Sequence, residues 1–299
     1  MKKIHLSISF LLVLATIFLV GCTIQKPDSG TTPSKKLTIV TTIYPFTDLT
    51  QKIVGDKAEV IGIIPGGVEP HDYEPTAQNI ITIKDADVFI YNGMTAIEPW
   101  LPKLLSFVPT VTKLDMSNGT KTLPGNPHYW LDPENDEKAV DMIVGVLAQK
   151  DQQNAKIYRQ NGETIKSQLK KIDQAYVAQL TTCQIRDVIV SHDAYAYMAN
   201  KYHFQTHPIA GLSPDAEPDA KTIAELISFV REKKIPYILF ETLASPKIAN
   251  TISSETGATS LVLNPIEGLT DEDVKNHQDI FSIMTSNLSV LKKAMKCTP

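Results

Sequence analysis

Cysteine is scarce in this sequence: three occur among 299 residues, too few for a fold held together by a disulfide framework. No CxxC, HExxH or GxxxxGK[ST] string is present, which excludes common redox, metalloprotease and ATP-binding motifs. Basic blocks are also missing and the net charge is −4, which argues against nucleic acid as a partner. The content of 42 % hydrophobic and 21 % charged residues is that of an ordinary folded globular protein.

The N-terminus has the pattern of an export signal. Lys2 and Lys3 precede a mostly apolar run over residues 6–20, which is shorter than the roughly 20 residues that span a bilayer. The run ends in Gly21-Cys22, which resembles the lipobox of bacterial lipoproteins. That resemblance implies cleavage before Cys22 and a diacylglycerol on its sulfur. A secretory signal with an incidental cysteine is the alternative.

Composition and hydrophobic spacing divide the chain into five segments. Residues 1–21 are expected to be a lipoprotein signal peptide, and residues 22–36, rich in Thr, Ser, Pro and Gly, a flexible tether. Residues 37–150 and 183–299 each alternate β-branched strands with helices, which predicts two α/β lobes with mainly parallel sheets. Residues 151–182 predict one amphipathic linking helix, about 30 residues long. Its apolar side chains recur every three, four or seven residues: Tyr158, Ile165, Leu169, Ile172, Tyr176 and Leu180.

The lobes themselves suggest where a ligand binds. Strands are predicted at residues 37–42 and 58–64 of the first lobe, and a single helix over residues 273–294 closes the second. In open α/β sheets ligands bind beyond the carboxyl ends of the strands. The crevice between the two lobes is therefore the expected site.

Three histidines and one glutamate follow predicted strands or precede the linking helices. His71 and His128 belong to the first lobe, and His192 and Glu267 belong to the second. Taken singly, a histidine in such a loop is more often hydrogen-bonded than metal-bound. Together, three imidazoles and one carboxylate form a tetrahedral set that suits Zn²⁺, whereas Mn²⁺ favours more oxygen donors.

Several strings resemble the solute-binding receptors of zinc and manganese ABC importers, in matching order from about residue 37 to 296. They are GGVEPHDYEPT, NPHYWLDP, SHDAYAYMA, GLSPDAEPDAK, FETLASPKIA and LNPIEGLT. The resemblance implies two α/β lobes bridged by a rigid helix and one metal ion bound between them. It implies a monomer that is not an enzyme and whose partners are an ABC permease and its ATPase.

The same resemblance implies the metal ligands. The matching positions are His71, His128, His192 and Glu267, and the manganese members usually carry Glu and Asp at the last two. His and Glu at these positions are the pattern of the zinc receptors. Many of those receptors also have a long loop rich in His and acid before the second histidine. Residues 117–126 are short and contain neither, so an auxiliary zinc-capturing role of this loop is in doubt.

Other polar residues near the predicted ligands have less certain roles. Asp72, Asp193, Glu217 and Glu241 are candidates for orienting the imidazoles by hydrogen bonds, or else surface carboxylates. Glu69 is a candidate for a spare oxygen ligand.

Cys183 and Cys297 follow the two helices predicted over residues 151–182 and 273–294. Outside the cytoplasm these two cysteines can form a disulfide, but the sequence does not give the distance between them, so both outcomes stay open. A cysteine-ligated metal is the weaker alternative.

The leading hypothesis is a receptor lipid-anchored at the outer face of the cytoplasmic membrane, which binds one Zn²⁺ and delivers it to an ABC permease. A manganese receptor of the same family is one alternative. A secreted zinc hydrolase with Glu267 as general base is another, and it requires an open position on the metal. An adhesin role would be secondary because no separate adhesive module is apparent.

Overall fold

The computed structural model describes residues 36–298. The expected signal peptide, the lipidation site at Cys22 and the tether up to residue 35 lie outside these residues. Within the described part of the chain, no helix is both long and apolar enough to cross a membrane.

The first half contains a four-stranded parallel sheet with the strand order β2-β1-β3-β4. Apolar side chains of the two central strands are buried on both faces, as expected for a sheet that helices cover on either side. The elements are β1 Leu37–Thr41, α1 Tyr44–Val54, β2 Ala58–Gly62, α2 Ala77–Asp85, β3 Val88–Tyr91, α3 Leu101–Phe107 and β4 Thr112–Asp115.

The second half repeats this architecture, with the strand order β6-β5-β7-β8 and all strands parallel. The elements are β5 Asp187–Val190, α6 Ala196–Tyr202, β6 Gln205–Pro208, α7 Ala220–Lys233, β7 Tyr237–Phe240, α8 Lys247–Thr256 and β8 Thr259–Val262. The fold class predicted from the sequence, two α/β lobes with parallel sheets, is confirmed.

Two long helices connect the sheets. Helix α4 (Pro133–Lys150) begins after its cap Asp132, whose side chain accepts a hydrogen bond from the amide of Glu134. Helix α5 (Ala155–Leu180) packs along α4 and buries most of the predicted apolar stripe. The apolar core around them takes side chains from both sheets, such as Ile39 of β1 and Val190 of β5. The two halves therefore share one apolar core in addition to being connected by the long helices.

The structure corrects the predicted C-terminal helix. In place of one helix over residues 273–294 there are two, α9 (Asp271–Lys275) and α10 (Ile280–Ala294). His277 interrupts them with a φ of 52°, a left-handed conformation that no helix interior accepts. Asp279 then starts α10, since its side chain accepts a hydrogen bond from the amide of Ser282.

The structure also joins Cys183 and Cys297 in a disulfide. The backbone segments around the two residues form an isolated antiparallel bridge. The bond thus ties the end of α5 to the segment after α10, next to the start of β5.

Candidate metal centre

The four predicted ligands lie on loops at the carboxyl ends of the strands or just beyond them. His71 lies in a short 3₁₀ turn after β2, and this turn begins at Pro70 with the side chain of Glu69 as its cap. His128 immediately precedes a second 3₁₀ turn, which leads into α4. His192 and Glu267 follow β5 and β8. Each half of the molecule contributes two ligands.

These four side chains converge on one point. Oε1 of Glu267 lies 3.0 Å from Nε2 of His128, 3.3 Å from Nε2 of His192 and 3.6 Å from Nε2 of His71. Nε2 of His128 lies 3.2 Å from that of His71 and 3.0 Å from that of His192. One ligand atom from each residue lies within 4.8 Å of every other. A single ion can therefore bridge all four.

The opposite nitrogen of each ring determines its tautomer. All three Nδ1 atoms face an oxygen that accepts a hydrogen bond, so Nδ1 carries a proton and Nε2 is the ring nitrogen that faces the centre and can bind a metal. The Asn126 oxygen is identified by the backbone amide of His128, which also donates to it. The pairs are His71 Nδ1 with the Ala96 carbonyl (3.2 Å), His128 Nδ1 with Asn126 Oδ1 (2.8 Å) and His192 Nδ1 with Glu241 Oε1 (2.6 Å).

Burial gives this arrangement its electrostatic character. The side chains of all four ligands are at most 2 % exposed, and within the described part of the chain neither oxygen of Glu267 accepts an aligned hydrogen bond. Burial lowers the pKa of His128 to about 4, which keeps that ring neutral. Although burial opposes ionisation of Glu267, the nearby charge of His192 holds the pKa of Glu267 well below its usual value. A buried carboxylate that lies beside three imidazole nitrogens is a site for a cation.

A family model described as "Zinc-uptake complex component A periplasmic" (ZnuA) matches residues 39–294 of this chain. The chain belongs to the ZnuA family. Zinc-binding lipoprotein AdcA of Streptococcus pneumoniae strain R6 is 37 % identical over 314 residues, which cover 98 % of this chain and 61 % of AdcA. The high-affinity zinc uptake system protein ZnuA of Bacillus subtilis strain 168 is 35 % identical, over 96 % of this chain and 97 % of that protein. The family resemblance seen in the sequence is confirmed.

A solved ZnuA-family structure agrees with the fold. The Zn(II)-bound ZnuA-like domain of Streptococcus pneumoniae AdcA superimposes with a TM-score of 0.78 at 38 % identity, covering 87 % of this chain and 99 % of that domain. In the sequence alignment, this chain spans 61 % of the full-length AdcA protein. The ZnuA family is one of solute-binding receptors and not an enzyme family.

Of the other residues predicted to hydrogen-bond to the ligands of the ZnuA-family site, only some do so. Oε1 of Glu241 accepts a hydrogen bond from Nδ1 of His192, and the side chain of Glu69 accepts one from the amide of His71. Asp193 contributes its backbone oxygen, not its carboxylate, to a contact with Asn126. Asp72 and Glu217 are exposed, and in the described residues neither makes a hydrogen bond to a ligand imidazole.

The actual acceptors for His71 and His128 escaped the sequence reasoning for a physical reason. One is the backbone carbonyl of Ala96, which no residue type reveals and which lies 25 positions along the chain. The other is Asn126, two residues before His128, whereas the residues predicted for this role are all carboxylates. Its amide is a ring-orienting acceptor just as a carboxylate is.

Proposed function

We propose that this chain is an extracytoplasmic receptor that binds one Zn²⁺ between its two halves and delivers it to an ABC importer. The observation that carries the proposal is the convergence of His71, His128, His192 and Glu267 on one buried point. Zinc is the cargo of this site and not a resident cofactor. The names of the relatives, a zinc-binding lipoprotein and a zinc uptake system protein, support the same cargo.

The donor set favours zinc over manganese. Three imidazole nitrogens and one carboxylate oxygen satisfy the four-coordinate geometry that Zn²⁺ prefers. Mn²⁺ takes more oxygen ligands and a higher coordination number, which this set does not offer. The manganese-receptor alternative is therefore the weaker one.

The geometry also argues against a hydrolase. A catalytic zinc site keeps one position open for water or substrate, whereas here four protein donors surround the centre. Glu267 lies as close to the histidine nitrogens as they lie to one another, 3.0 to 3.6 Å, and so belongs to the ligand set. A general base would have to lie outside that set.

Export, lipid anchoring and partners complete the proposal. Lipidation of Cys22 would hold the receptor at the outer face of the cytoplasmic membrane, and a processed monomer would meet the permease there. The chain contains no GxxxxGK[ST] string, so the importer's ATPase would be a separate protein.

The exported, processed protein provides the test. Its metal content should be zinc, and zinc should displace manganese in competition. Glu267→Ala should weaken zinc binding at least about 100-fold, because it removes a direct ligand and loss of a group that only supports a ligand already costs about 10- to 100-fold. Glu217→Ala, at an exposed glutamate, is the matched control and should bind zinc like the parent. An enzyme would instead retain zinc in the Glu267→Ala variant and lose turnover, and a predominance of manganese would overturn the choice of metal.

A further inference from the structure

Asn126 contacts the loops of two ligands from opposite halves of the molecule. Its side-chain oxygen accepts hydrogen bonds from the backbone amide of His128 at 3.1 Å and from Nδ1 of His128 at 2.8 Å. Its side-chain nitrogen donates to the backbone oxygen of Asp193 at 2.7 Å, the residue directly after His192. Asn126 is 4 % exposed, so water scarcely competes for these bonds.

The backbone of Asn126 is held in place as well. Its carbonyl accepts a hydrogen bond from the hydroxyl of Tyr197 at 2.7 Å, and the same hydroxyl accepts one from the amide of Leu123 at 2.6 Å. Tyr197 lies on α6, in the second half of the molecule, and is 5 % exposed. The amide of Asn126 donates to the carbonyl of Leu123 at 3.2 Å. These bonds fix the backbone from which the Asn126 side chain extends.

The chemistry of the amide suits this place. Asn126 uses its oxygen only as an acceptor and its NH₂ group only as a donor, and the two functions serve different halves of the molecule. A carboxylate at this position would retain the acceptor for His128 but would lose the donor for Asp193. It would also bring an oxygen against the Asp193 carbonyl.

Given the zinc site proposed above, on which this step rests, we infer that Asn126 is a positioning residue that couples the two halves of the site. Its oxygen orients the His128 ring, and its NH₂ group holds the His192 loop against that ring. Without the second contact, the loop that carries His192 moves away from His128 more readily. The bound metal then leaves faster, although all four ligands remain.

The test compares Asn126→Asp with Asn135→Asp. Asn135 is also buried, at 1 % exposure, and its side chain bonds to the backbone of Lys121 and Tyr129 within the first half only. Stopped-flow measurement above neutral pH would follow zinc transfer to a chromogenic chelator. Asn126→Asp should release zinc about tenfold faster, within the range known for groups that support a ligand. Asn135→Asp should release it at the parental rate. Added negative charge alone would slow release, so faster release reports the lost contact.

A spectrum separates this role from simple loss of structure. Co²⁺-loaded Asn126→Asp should retain the visible bands of a tetrahedral ion, because the acceptor for His128 is still present. Asn126→Ala should alter those bands, because that acceptor is gone. Parental release from Asn126→Asp, or equal acceleration in Asn135→Asp, would overturn the inference.

Two further measurements keep the test decisive. Tyr197→Phe removes both hydrogen bonds of the Tyr197 hydroxyl, including the one to the Asn126 carbonyl. It should accelerate release about fivefold, the fold-change that corresponds to the net free energy of a typical buried hydrogen bond. In metal-free protein, the Asp193 amide, which donates to the carbonyl of Gly211, should exchange faster in Asn126→Asp than in Asn135→Asp. Unchanged exchange would contradict the coupling. Absence of zinc binding by the parent would instead contradict the proposed function, so the two failures are distinguishable.

Discussion

His192 faces two carboxylates, and its protonation follows from them. Burial opposes a charge on this ring, but Glu267 and Glu241 outweigh it and raise the pKa of His192 to about 10. The metal-free ring therefore holds a second proton at neutral pH, on the nitrogen that has to bind zinc. Zinc binding should release about one proton at pH 7, and the apparent affinity should rise about tenfold per unit between pH 6 and 8.

Calorimetry in buffers of different ionisation enthalpy measures this proton directly. Glu241→Gln should reduce the number released, because loss of a carboxylate lowers the pKa of His192. Glu217→Gln, at an exposed position, should leave the number unchanged. Binding without proton release at pH 7 in the parent would show that the ring is already neutral.

Asp136 is a buried acid away from the metal ligands. It is fully buried on α4, and neither carboxylate oxygen has a hydrogen-bond partner among residues 36–298. Burial together with the charge of Asp132 raises the pKa of Asp136 well above the usual value. The folded state therefore binds more protons here than the unfolded state, and this residue's contribution to stability falls as the pH rises above about 4.

Replacing Asp136 by asparagine removes the ionisable carboxyl group. Asp136→Asn should raise the melting temperature by several degrees at pH 7 and have little effect near pH 4, as measured by thermal unfolding. Asp141→Asn is the matched control on the same helix, since the side chain of Asp141 is 64 % exposed. A lower melting temperature for Asp136→Asn at pH 7 would mean that the carboxylate has an unrecognised stabilising role.

At the level of elements, the disulfide links segments that are 114 residues apart in sequence. Closing so long a loop restricts the unfolded chain and stabilises the fold by up to about 4–5 kcal/mol. Reduction, or replacement of both cysteines by serine, should lower the melting temperature markedly. Zinc affinity should change little, because Cys183 lies before β5 whereas His192 lies after it.

Thermal unfolding with and without reductant, alongside zinc titration, measures both effects. The Cys183→Ser/Cys297→Ser protein is the control, because a reductant should have no further effect on it. A loss of zinc affinity on reduction equal to that of a ligand variant would contradict the separation of the two regions.

How much the sequence could predict also depends on the element. The α5 stripe was predictable because side chains such as Tyr158 and Leu169 recur on one helical face and are buried. Strand β4 was not, because all four of its residues are only half-buried and alternate weakly. The break at His277 depends on a backbone angle that histidine tolerates without requiring it.

The metal site likewise contains residues that the sequence could predict and contacts that it could not. Its four ligands were predictable because strand ends are where α/β sheets bind ligands and because imidazole and carboxylate are recognisable donors. The oxygen that faces His71 belongs to a peptide group, and peptide groups are the same in every residue. Asn126 serves two loops at once, and only the three-dimensional arrangement brings those loops together.

At the scale of the whole molecule, the contacts between the two halves predict resistance to hinge opening. A shared core and long packed helices join the halves. Lys52 of α1 meets Asp279 of the second half at 2.9 Å, and the Trp130 indole donates to the Pro265 carbonyl at 2.8 Å. Release of zinc should therefore involve the loops around His128 and His192 more than a wide separation of the lobes.

Hydrogen exchange with and without zinc tests this expectation. Changes in protection should concentrate in residues 120–132 and 191–194, while the strands of both sheets change little. Uniform changes across both lobes would instead indicate a large hinge motion.

The positions of the ligands along the chain also have a consequence for biosynthesis. His71 comes early, and Glu267 follows the last strand, so no partial chain can assemble the site before almost all of it has been synthesised and folded. A precursor that is threaded unfolded through a secretion channel would thus carry no metal out of the cytoplasm. Such a protein would acquire its first ion only where it is meant to collect it.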